Sequence, residues 1–264
     1  MKSRITLFLI ACAAAVITSQ GAEPIKVLLV TGGGWHDYST QKRILTETIE
    51  TKLHATVDVK WTTTEQHPVS PTENKLPHLF TQDFAEGYDV VLHNHCHTGF
   101  SGDDAINAAI DHQLKHKVGI ILTHGSFHTF RASPQEAWDR IKGCKSKVHV
   151  HHAPLHIKIV NDRHPVTSLL GVSGWSTENG ELYTTHLLPN TTSLAEGTTL
   201  KGRTKTDSCI FAHTVGDSRV VGITLGHHNS TMEQKEYREL MALSVLWAAG
   251  KIGADGTIEP GYRK

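Results

Sequence analysis

Histidine side chains are concentrated where the sequence predicts that strands end. Of the 264 residues, 20 are histidines, and imidazole is the commonest protein ligand for metal ions. Four of them follow apolar, strand-like runs: His36, His124, His128 and His227. Because ligands in open α/β sheets bind outside the carboxyl ends of the strands, we expect these side chains to meet in one cleft. They predict a divalent metal site, for zinc or a similar ion, in which His124 and His227 also serve as acid–base groups.

Two charged residues lie where they can complete such a site. Glu181 is a candidate general base or further metal ligand, although on sequence alone an ordinary surface glutamate is the better interpretation. Arg131 follows His128 by about one helical turn and is expected to hold a carboxylate or a hydroxyl group. His124 and His128 are four residues apart, which is the spacing that brings two imidazoles to one face of a helix.

Two further groups of histidines are discounted. Those in residues 93–97 alternate and would point to one side of an extended segment, but we expect at least two of the three to be solvated beyond the strand. Those in residues 149–152 precede a strand predicted at 155–160, so we expect them at its amino end, away from the cleft. Of these, only His152 is expected to be able to reach the cleft from a loop.

Several kinds of chemistry are disfavoured. The glycine run at 32–34 is not GxGxxG, and no acidic residue follows the second predicted strand, so we expect no nucleotide cofactor. A nucleophile elbow needs Ser or Cys at the turn after a strand, but His124 stands there and Ser126 is displaced by two residues. Lys plus Arg and Asp plus Glu each number 26, so no basic excess indicates nucleic acid as a partner.

The elements that must position these residues alternate between strand and helix. Short apolar runs rich in β-branched residues predict buried parallel strands at 25–31, 56–61, 88–92, 118–123, 155–160 and 219–225. Three helices are predicted. The first begins after a cap at Ser39 or Thr40, the second begins at Asp103, and the third extends over residues 233–249.

This alternation predicts an α/β fold with a doubly wound, mostly parallel sheet. Residues 62–80 and 190–210 are rich in Thr, Pro and polar groups and are expected to be loops. No composition change splits the chain, so residues 23–264 are predicted to form a single domain.

Residues 1–22 are predicted to be a secretory signal peptide. Lys2 and Arg4 form a basic start, and residues 5–18 are an apolar run that is too short for a comfortable membrane span. We therefore expect a secreted or periplasmic protein with no stable membrane span. A lipoprotein anchor at Cys12 is the less favoured alternative, because the apolar run continues past that residue.

Four motifs resemble those of the ThuA-like (trehalose utilisation) family, in the same order: Gly32–Tyr38, Thr123–Arg131, Trp175–Tyr183 and Thr224–Met232. The resemblance extends over residues 25–252 and implies a flavodoxin-like fold of the class I glutamine amidotransferase type. True amidotransferases have Cys at the elbow and a late His-Pro-Glu run. His124 and the run 227–229 replace these here, so glutamine hydrolysis is not expected. The residues that match family positions are His36, His124, His128, Arg131, Glu181, Tyr183 and His227.

The resemblance implies use of disaccharides through keto-sugar intermediates. We therefore expect a small carbohydrate as the partner and metal-assisted hydrolysis or elimination of a keto-glycoside as the reaction. The alternative is a non-catalytic periplasmic sugar-binding module. In that alternative, four aromatic side chains stack on pyranose faces: Trp35, Tyr38, Trp175 and Tyr183. An inert scaffold is a third interpretation. The substrate, the metal and the oligomeric state stay open.

Overall fold

The computed structural model describes residues 22–61, 83–134 and 136–264. The strands are β1 (Ile25–Gly33), β2 (Ala55–Trp61), β3 (Val90–Cys96), β4 (Gly119–Thr123), β5 (Cys144–Lys145), β6 (Ala153–Ile159), β7 (Gly174–Gly180), β8 (His186–Leu187), β9 (Thr192–Thr199), β10 (Thr206–Val215) and β11 (Ser218–Ile223). The helices are α1 (Tyr38–Lys52), α2 (Asp103–Lys115), α3 (Glu136–Lys142), α4 (Pro165–Ser168), α5 (Asn229–Glu233) and α6 (Lys235–Ala248), and a 3₁₀ turn spans His124–Phe127. Within these described ranges, a nine-stranded sheet has the order β2-β1-β3-β4-β11-β10-β9-β6-β7, and β5 pairs with β8.

The first five strands in this order are parallel. Their 2-1-3-4-5 arrangement is that of a flavodoxin-like doubly wound sheet. Along β1, Val27 and Leu29 pack into a core that includes residues of α1 and α6, whereas Leu28 and Val30 pack into a second core with residues of α2 and α3. Because both faces are covered, the strand is continuously apolar from Val27 to Val30. The predicted α/β fold class is confirmed.

The other four strands form an antiparallel extension of the sheet, with β10 next to β11, then β9, β6 and β7. The prediction of a loop over 190–210 is wrong, because β9 and the start of β10 occupy most of that segment. Its threonines are β-branched and suit a half-buried pleated strand, despite their polarity. The alternating directions bring the amino end of β6 and the carboxyl end of β7 to the edge where the parallel strands end.

Two predicted helix boundaries need correction. The cap of α1 is Asp37, whose Oδ1 accepts a hydrogen bond of 3.1 Å from the Thr40 backbone N–H. The helix predicted over 233–249 is divided, because Gln234 has an extended backbone (φ −59°, ψ 141°) between α5 and α6.

Residues 1–21, which make up nearly all of the predicted signal peptide, and the predicted loop at 62–80 lie outside the described residues. The signal peptide and the single domain therefore stay predictions. Among the helices that the structure does describe, none has the length and apolar character needed to cross a membrane.

Candidate metal centre

Four side chains from four different strand ends meet at one edge of the sheet. His36 follows β1, His124 follows β4, Glu181 follows β7 and His227 follows β11. Each offers one nitrogen or oxygen atom, and these four atoms lie within 4.8 Å of one another. His36, His124 and Glu181 are buried, and His227 is partly exposed. The structure thus brings together three of the four histidines predicted as ligands and adds a carboxylate.

The contacts within this quartet are close. Glu181 Oε2 lies 3.2 Å from His124 Nε2 and 3.0 Å from His227 Nδ1. The two nitrogens are themselves 3.1 Å apart. The His36 ring centroid lies 4.9 Å from that of His124 and 4.8 Å from that of His227.

Backbone carbonyls fix the tautomers of two of the imidazoles. His124 Nδ1 is 2.7 Å from the Thr224 carbonyl oxygen, which can only accept, so this nitrogen carries the proton and Nε2 keeps its lone pair. His36 Nδ1 lies 3.2 Å from the Gly34 carbonyl oxygen and 2.8 Å from the Tyr38 hydroxyl, which likewise leaves Nε2 unprotonated. Outer hydrogen bonds of this kind orient metal-ligating histidines and fix their tautomers.

The electrostatic environment favours neutral imidazoles around one ionised carboxylate. Burial lowers the pKa of His36 well below its usual value, and the neighbouring imidazoles lower it further. Burial also lowers the pKa of His124. For Glu181, burial alone would raise the pKa, but the close contacts with the His124 and His227 imidazoles outweigh it and hold the pKa well below its ordinary range. Neutral imidazole and carboxylate are the forms that bind metal ions.

Gly125 allows the turn after β4 to pack against the quartet. A Cβ atom at this position would lie 2.8 Å from the Tyr38 hydroxyl, 3.0 Å from Cys96 Cβ and 3.0 Å from His36 Cε1. Any larger residue would therefore push directly on the His36 ring and its partner.

The loop that carries His227 is held by α1. The buried Gln41 side chain donates hydrogen bonds to the carbonyls of Gly226 (3.2 Å) and His227 (3.3 Å). Asn229 Nδ2 donates to Asp37 Oδ2 at 2.8 Å, which joins the start of α5 to the cap of α1. The loop after β11 is thus positioned by side chains far away in the sequence.

A cavity of about 490 Å³ opens above the quartet, a volume typical of small-molecule sites. Its lining comprises Trp35, His36, Cys96, Thr98, His128, Arg131, His149, His152, Glu181, Tyr183 and His227. Trp35 is 56% exposed at this opening, and Arg131 is also exposed. Tyr183 lies deeper, with its hydroxyl 3.2 Å from His124 Nε2.

Three predicted site residues have other positions than expected. His128 does not join the quartet: its ring stacks on Tyr183 with centroids 3.9 Å apart, and Nε2 lies 3.1 Å from Ser146 Oγ. The segment after β4 is a short 3₁₀ turn rather than an α-helix, so the four-residue spacing does not align His128 with His124. Burial lowers the pKa of His128 to about 2, so it is a neutral ring in the wall of the cavity.

Neither Tyr38 nor Trp175 presents a face to the cavity. Tyr38 is buried beneath it, where its hydroxyl contacts His36. Trp175 lies in β7 and packs in the hydrophobic core. A strand residue whose side chain points to the covered face cannot also reach the edge of the sheet, so the stacking role predicted for Trp175 is not supported.

Two histidines that sequence reasoning discounted contact Glu181, although His152 was expected to be able to reach the cleft from a loop. His152 Nε2 lies 2.8 Å and His149 Nδ1 lies 3.3 Å from Glu181 Oε1. They precede β6, whose amino end faces the site because that strand runs against the parallel ones. Only the direction of β6 could have revealed this. The histidines at 93–97 are all buried, contrary to the expectation that at least two are solvated.

The cavity contains no activated nucleophile among the described residues that line it. Burial raises the pKa of the Cys96 thiol to about 12, so the thiolate is scarce at neutral pH. Ser126 Oγ donates a 2.7 Å hydrogen bond to the Thr123 carbonyl.

Comparison with solved structures shows the same fold. A ThuA-like protein from Parabacteroides merdae aligns with a TM-score of 0.67 at 19% identity, over 91% of this chain and 97% of that one. A protein from Salmonella typhimurium titled cytoplasmic protein STM1381 aligns at 0.55 and 12% identity, over 85% and 99% of the two chains. The carbohydrate deacetylase Agd3 aligns at 0.52 and 11% identity, over 83% of this chain and 32% of that one.

Among curated proteins no match is found. The family model described as trehalose utilisation, ThuA, matches residues 26–248. These residues include all four members of the quartet and nearly all of the sheet. The chain therefore belongs to the ThuA family.

Proposed function

We propose that this protein is a divalent-metal-dependent enzyme that acts on a small carbohydrate by hydrolysis or elimination. The observation that carries the proposal is the quartet of His36, His124, Glu181 and His227, whose ligand atoms lie within 4.8 Å of one another. Three imidazoles and one carboxylate are a donor set that suits Zn²⁺ or a similar ion.

The hydrogen-bond chemistry of the quartet fits a cation. His124 Nε2 carries a lone pair, because Nδ1 is the nitrogen that donates to Thr224. Glu181 Oε2 is an acceptor only, yet it lies 3.2 Å from His124 Nε2. Two acceptors at this distance repel each other unless a proton or a cation lies between them. Burial lowers the pKa of His124 and so disfavours the proton. A cation satisfies both atoms.

A bound cation would supply Lewis-acid polarisation of a substrate oxygen or acidify water. The chain's own residues orient the substrate and accept a proton. Arg131 stands at the opening of the cavity with five N–H donors that can orient a hydroxyl or carboxylate. His149, with 41% of its side chain exposed, has Nδ1 2.9 Å from the Val150 carbonyl oxygen. Its Nε2 is therefore left to accept a proton, and we assign it that role.

Three observations support a carbohydrate as the substrate. The family is described as trehalose utilisation, and one protein of the same fold is titled a carbohydrate deacetylase. The exposed indole of Trp35 borders the cavity and offers an apolar face on which a pyranose ring can stack. Within this class we favour a keto-glycoside, because a Lewis acid beside a carbonyl assists both hydrolysis and elimination.

The experiment uses protein purified without a polyhistidine tag. Elemental analysis measures the bound metal, and turnover of 3-keto-glycosides and of unoxidised disaccharides is measured with and without chelator. We expect a divalent metal, turnover that chelation abolishes, and loss of both in Glu181→Gln. His186→Ala serves as the matched control, since His186 is exposed on β8. Metal-free protein with unaffected turnover would refute the proposal. Metal and sugar binding without turnover would establish the binding module instead.

We also infer that the protein is exported, from the basic and apolar pattern of residues 1–22. Expression of the full chain in a bacterial host followed by sequencing of the mature amino terminus tests this. A mature protein that begins near residue 23 is expected. Retention of residue 2 in cytoplasmic protein would contradict it.

A further inference from the structure

A second group of imidazoles lies beside the quartet. His152, His227 and His228 each offer a nitrogen, and these nitrogens lie within 4.8 Å of one another. The ring centroids are 4.5 Å apart for His152 and His227, 4.6 Å for His227 and His228, and 5.1 Å for His152 and His228. The two groups share His227, so they are neighbours in one site.

Glu181 faces the two groups with different oxygens. Its Oε2 contacts His124 Nε2 and His227 Nδ1, at 3.2 and 3.0 Å. Its Oε1 contacts His152 Nε2 at 2.8 Å and, outside either group, His149 Nδ1 at 3.3 Å. A carboxylate that presents one oxygen to each of two clusters of nitrogen donors has the arrangement of a bridging ligand between two metal ions.

Among the described residues, the ring nitrogens of His228 have no hydrogen bond that would explain the position of this side chain. His228 stands at the cap of α5, but its side chain makes no capping hydrogen bond. Its Nε2 is buried and has no hydrogen-bond partner among the described residues. A nitrogen withdrawn from water without a partner costs free energy.

We propose that the site holds two divalent cations, with the second bound by His152, His228 and Glu181 Oε1, and with Glu181 as the bridge. This inference rests on the proposed function, because the first cation belongs to the quartet. Paired divalent ions in such sites lie about 3.5–4 Å apart and together stabilise attacking and leaving oxygens. One carboxylate balances only part of the charge of two such ions. The site therefore selects substrates that carry or develop an anionic oxygen, such as the enediolate of a keto-sugar.

The test is the number of Zn²⁺ ions bound per chain. Metal-free, untagged full-length protein is dialysed against buffered Zn²⁺, and metal and protein are measured by elemental analysis. We expect two ions per chain in the wild type and one in His228→Ala and in His152→Ala. His151→Ala, an exposed neighbour, is the matched control and should keep two. Circular dichroism and thermal unfolding of the metal-free proteins verify that each variant is folded.

The outcomes separate the two proposals. One ion in the wild type, unchanged in His228→Ala and lost in Glu181→Gln, would overturn the second site and leave the quartet intact. No ion in the wild type would overturn both. Two ions that persist in both variants would place the second ion elsewhere and refute this inference. Anomalous diffraction at the zinc edge on wild-type crystals gives an independent readout, with two peaks expected on either side of Glu181.

Discussion

Tyr38 and Tyr183 each contact an imidazole of the quartet, but they contact different ring nitrogens: Nδ1 of His36 and Nε2 of His124. The Tyr38 hydroxyl lies 2.8 Å from His36 Nδ1, the nitrogen that also contacts the Gly34 carbonyl oxygen. The Tyr183 hydroxyl lies 3.2 Å from His124 Nε2, the nitrogen that points toward the other ligand atoms of the quartet. We predict that Tyr38→Phe weakens metal binding and that Tyr183→Phe does not.

The magnitude follows from what each change removes. In Tyr38→Phe one hydrogen bond that orients His36 is lost, which is worth roughly 0.5–1.5 kcal/mol, or about two- to ten-fold in Kd. Removing a hydrogen-bond partner of a metal-ligating residue can weaken metal affinity by up to roughly 100-fold. We expect a smaller effect here, because the Gly34 carbonyl, 3.2 Å from the same nitrogen, still fixes the tautomer. In Tyr183→Phe the hydroxyl that competes with a cation for the His124 lone pair is lost, so the Kd stays equal or falls.

The assay is competition for Zn²⁺ against a chromophoric chelator at constant pH and ionic strength. Thermal unfolding of the metal-free variants serves as the control, because both rings are buried and must stay packed. The opposite ranking, with Tyr183→Phe several-fold weaker and Tyr38→Phe like wild type, would show that His36 and His124 do not bind the ion through the nitrogens assigned here.

Three further predictions concern stability and substrate binding. Zn²⁺ at 100 times its Kd should stabilise the fold by about 2.7 kcal/mol, which corresponds to about 5–11 °C in Tm; calorimetry with and without chelator measures this, and identical curves would contradict a native metal site. Gly33→Ala should destabilise by several kcal/mol, because its Cβ would lie 2.2 Å from the Cys96 carbonyl oxygen at a φ of +104°. Gly216→Ala is the control, because Gly216 has a φ of +59° and nothing within 4 Å. It should lower the free energy of unfolding in urea by only roughly 1–2 kcal/mol, from backbone strain. If both variants lose the same free energy of unfolding, the close contact at Gly33 does not contribute. Trp35→Ala should weaken sugar binding at unchanged Tm, whereas Trp175→Ala should lower the free energy of unfolding by about 3–5 kcal/mol. Calorimetric titration measures sugar binding. Weaker binding in folded Trp175→Ala with normal binding in Trp35→Ala would contradict this assignment.

The parallel half of the sheet could be predicted from the sequence because its signals are local. The apolar run of β1 and the turn that carries His36 are contiguous in the chain, as are β4 and His124. Since parallel strands end at one edge, the approach of His36, His124 and His227 follows from the fold class alone. The four-residue spacing of His124 and His128 wrongly predicted that both rings join one site. That spacing places two residues on one face only in an α-helix, and this segment is a 3₁₀ turn.

The sequence named Glu181 as a candidate, but the approach of Glu181 and of the histidines before β6 to the quartet's imidazoles could not be predicted from the residue pattern, because it depends on strand direction. Glu181 follows β7, a strand rich in polar residues whose sequence resembles a surface loop. His152 precedes β6 and faces the site only because β6 is antiparallel to its neighbours. Strand direction is decided by long-range pairing, which leaves no periodic signal in a single sequence.

The antiparallel extension also explains why the site suits metal chemistry. At the turn after β4, where a nucleophile elbow would place Ser or Cys, the chain places the imidazole of His124, and the three histidines of the quartet all come from ends of the parallel strands. The rings of His36 and His124 are buried, and burial lowers the pKa of each, so they are unfavourable neighbours without partners for their nitrogens. The extension supplies the carboxylate of Glu181 from β7 and further imidazoles from before β6. A carboxylate oxygen is a ligand that imidazoles alone do not provide, and it contributes negative charge to the quartet. The proposed cation site therefore depends on the alternating directions of the strands beyond β11, which bring the start of β6 and the end of β7 to this edge.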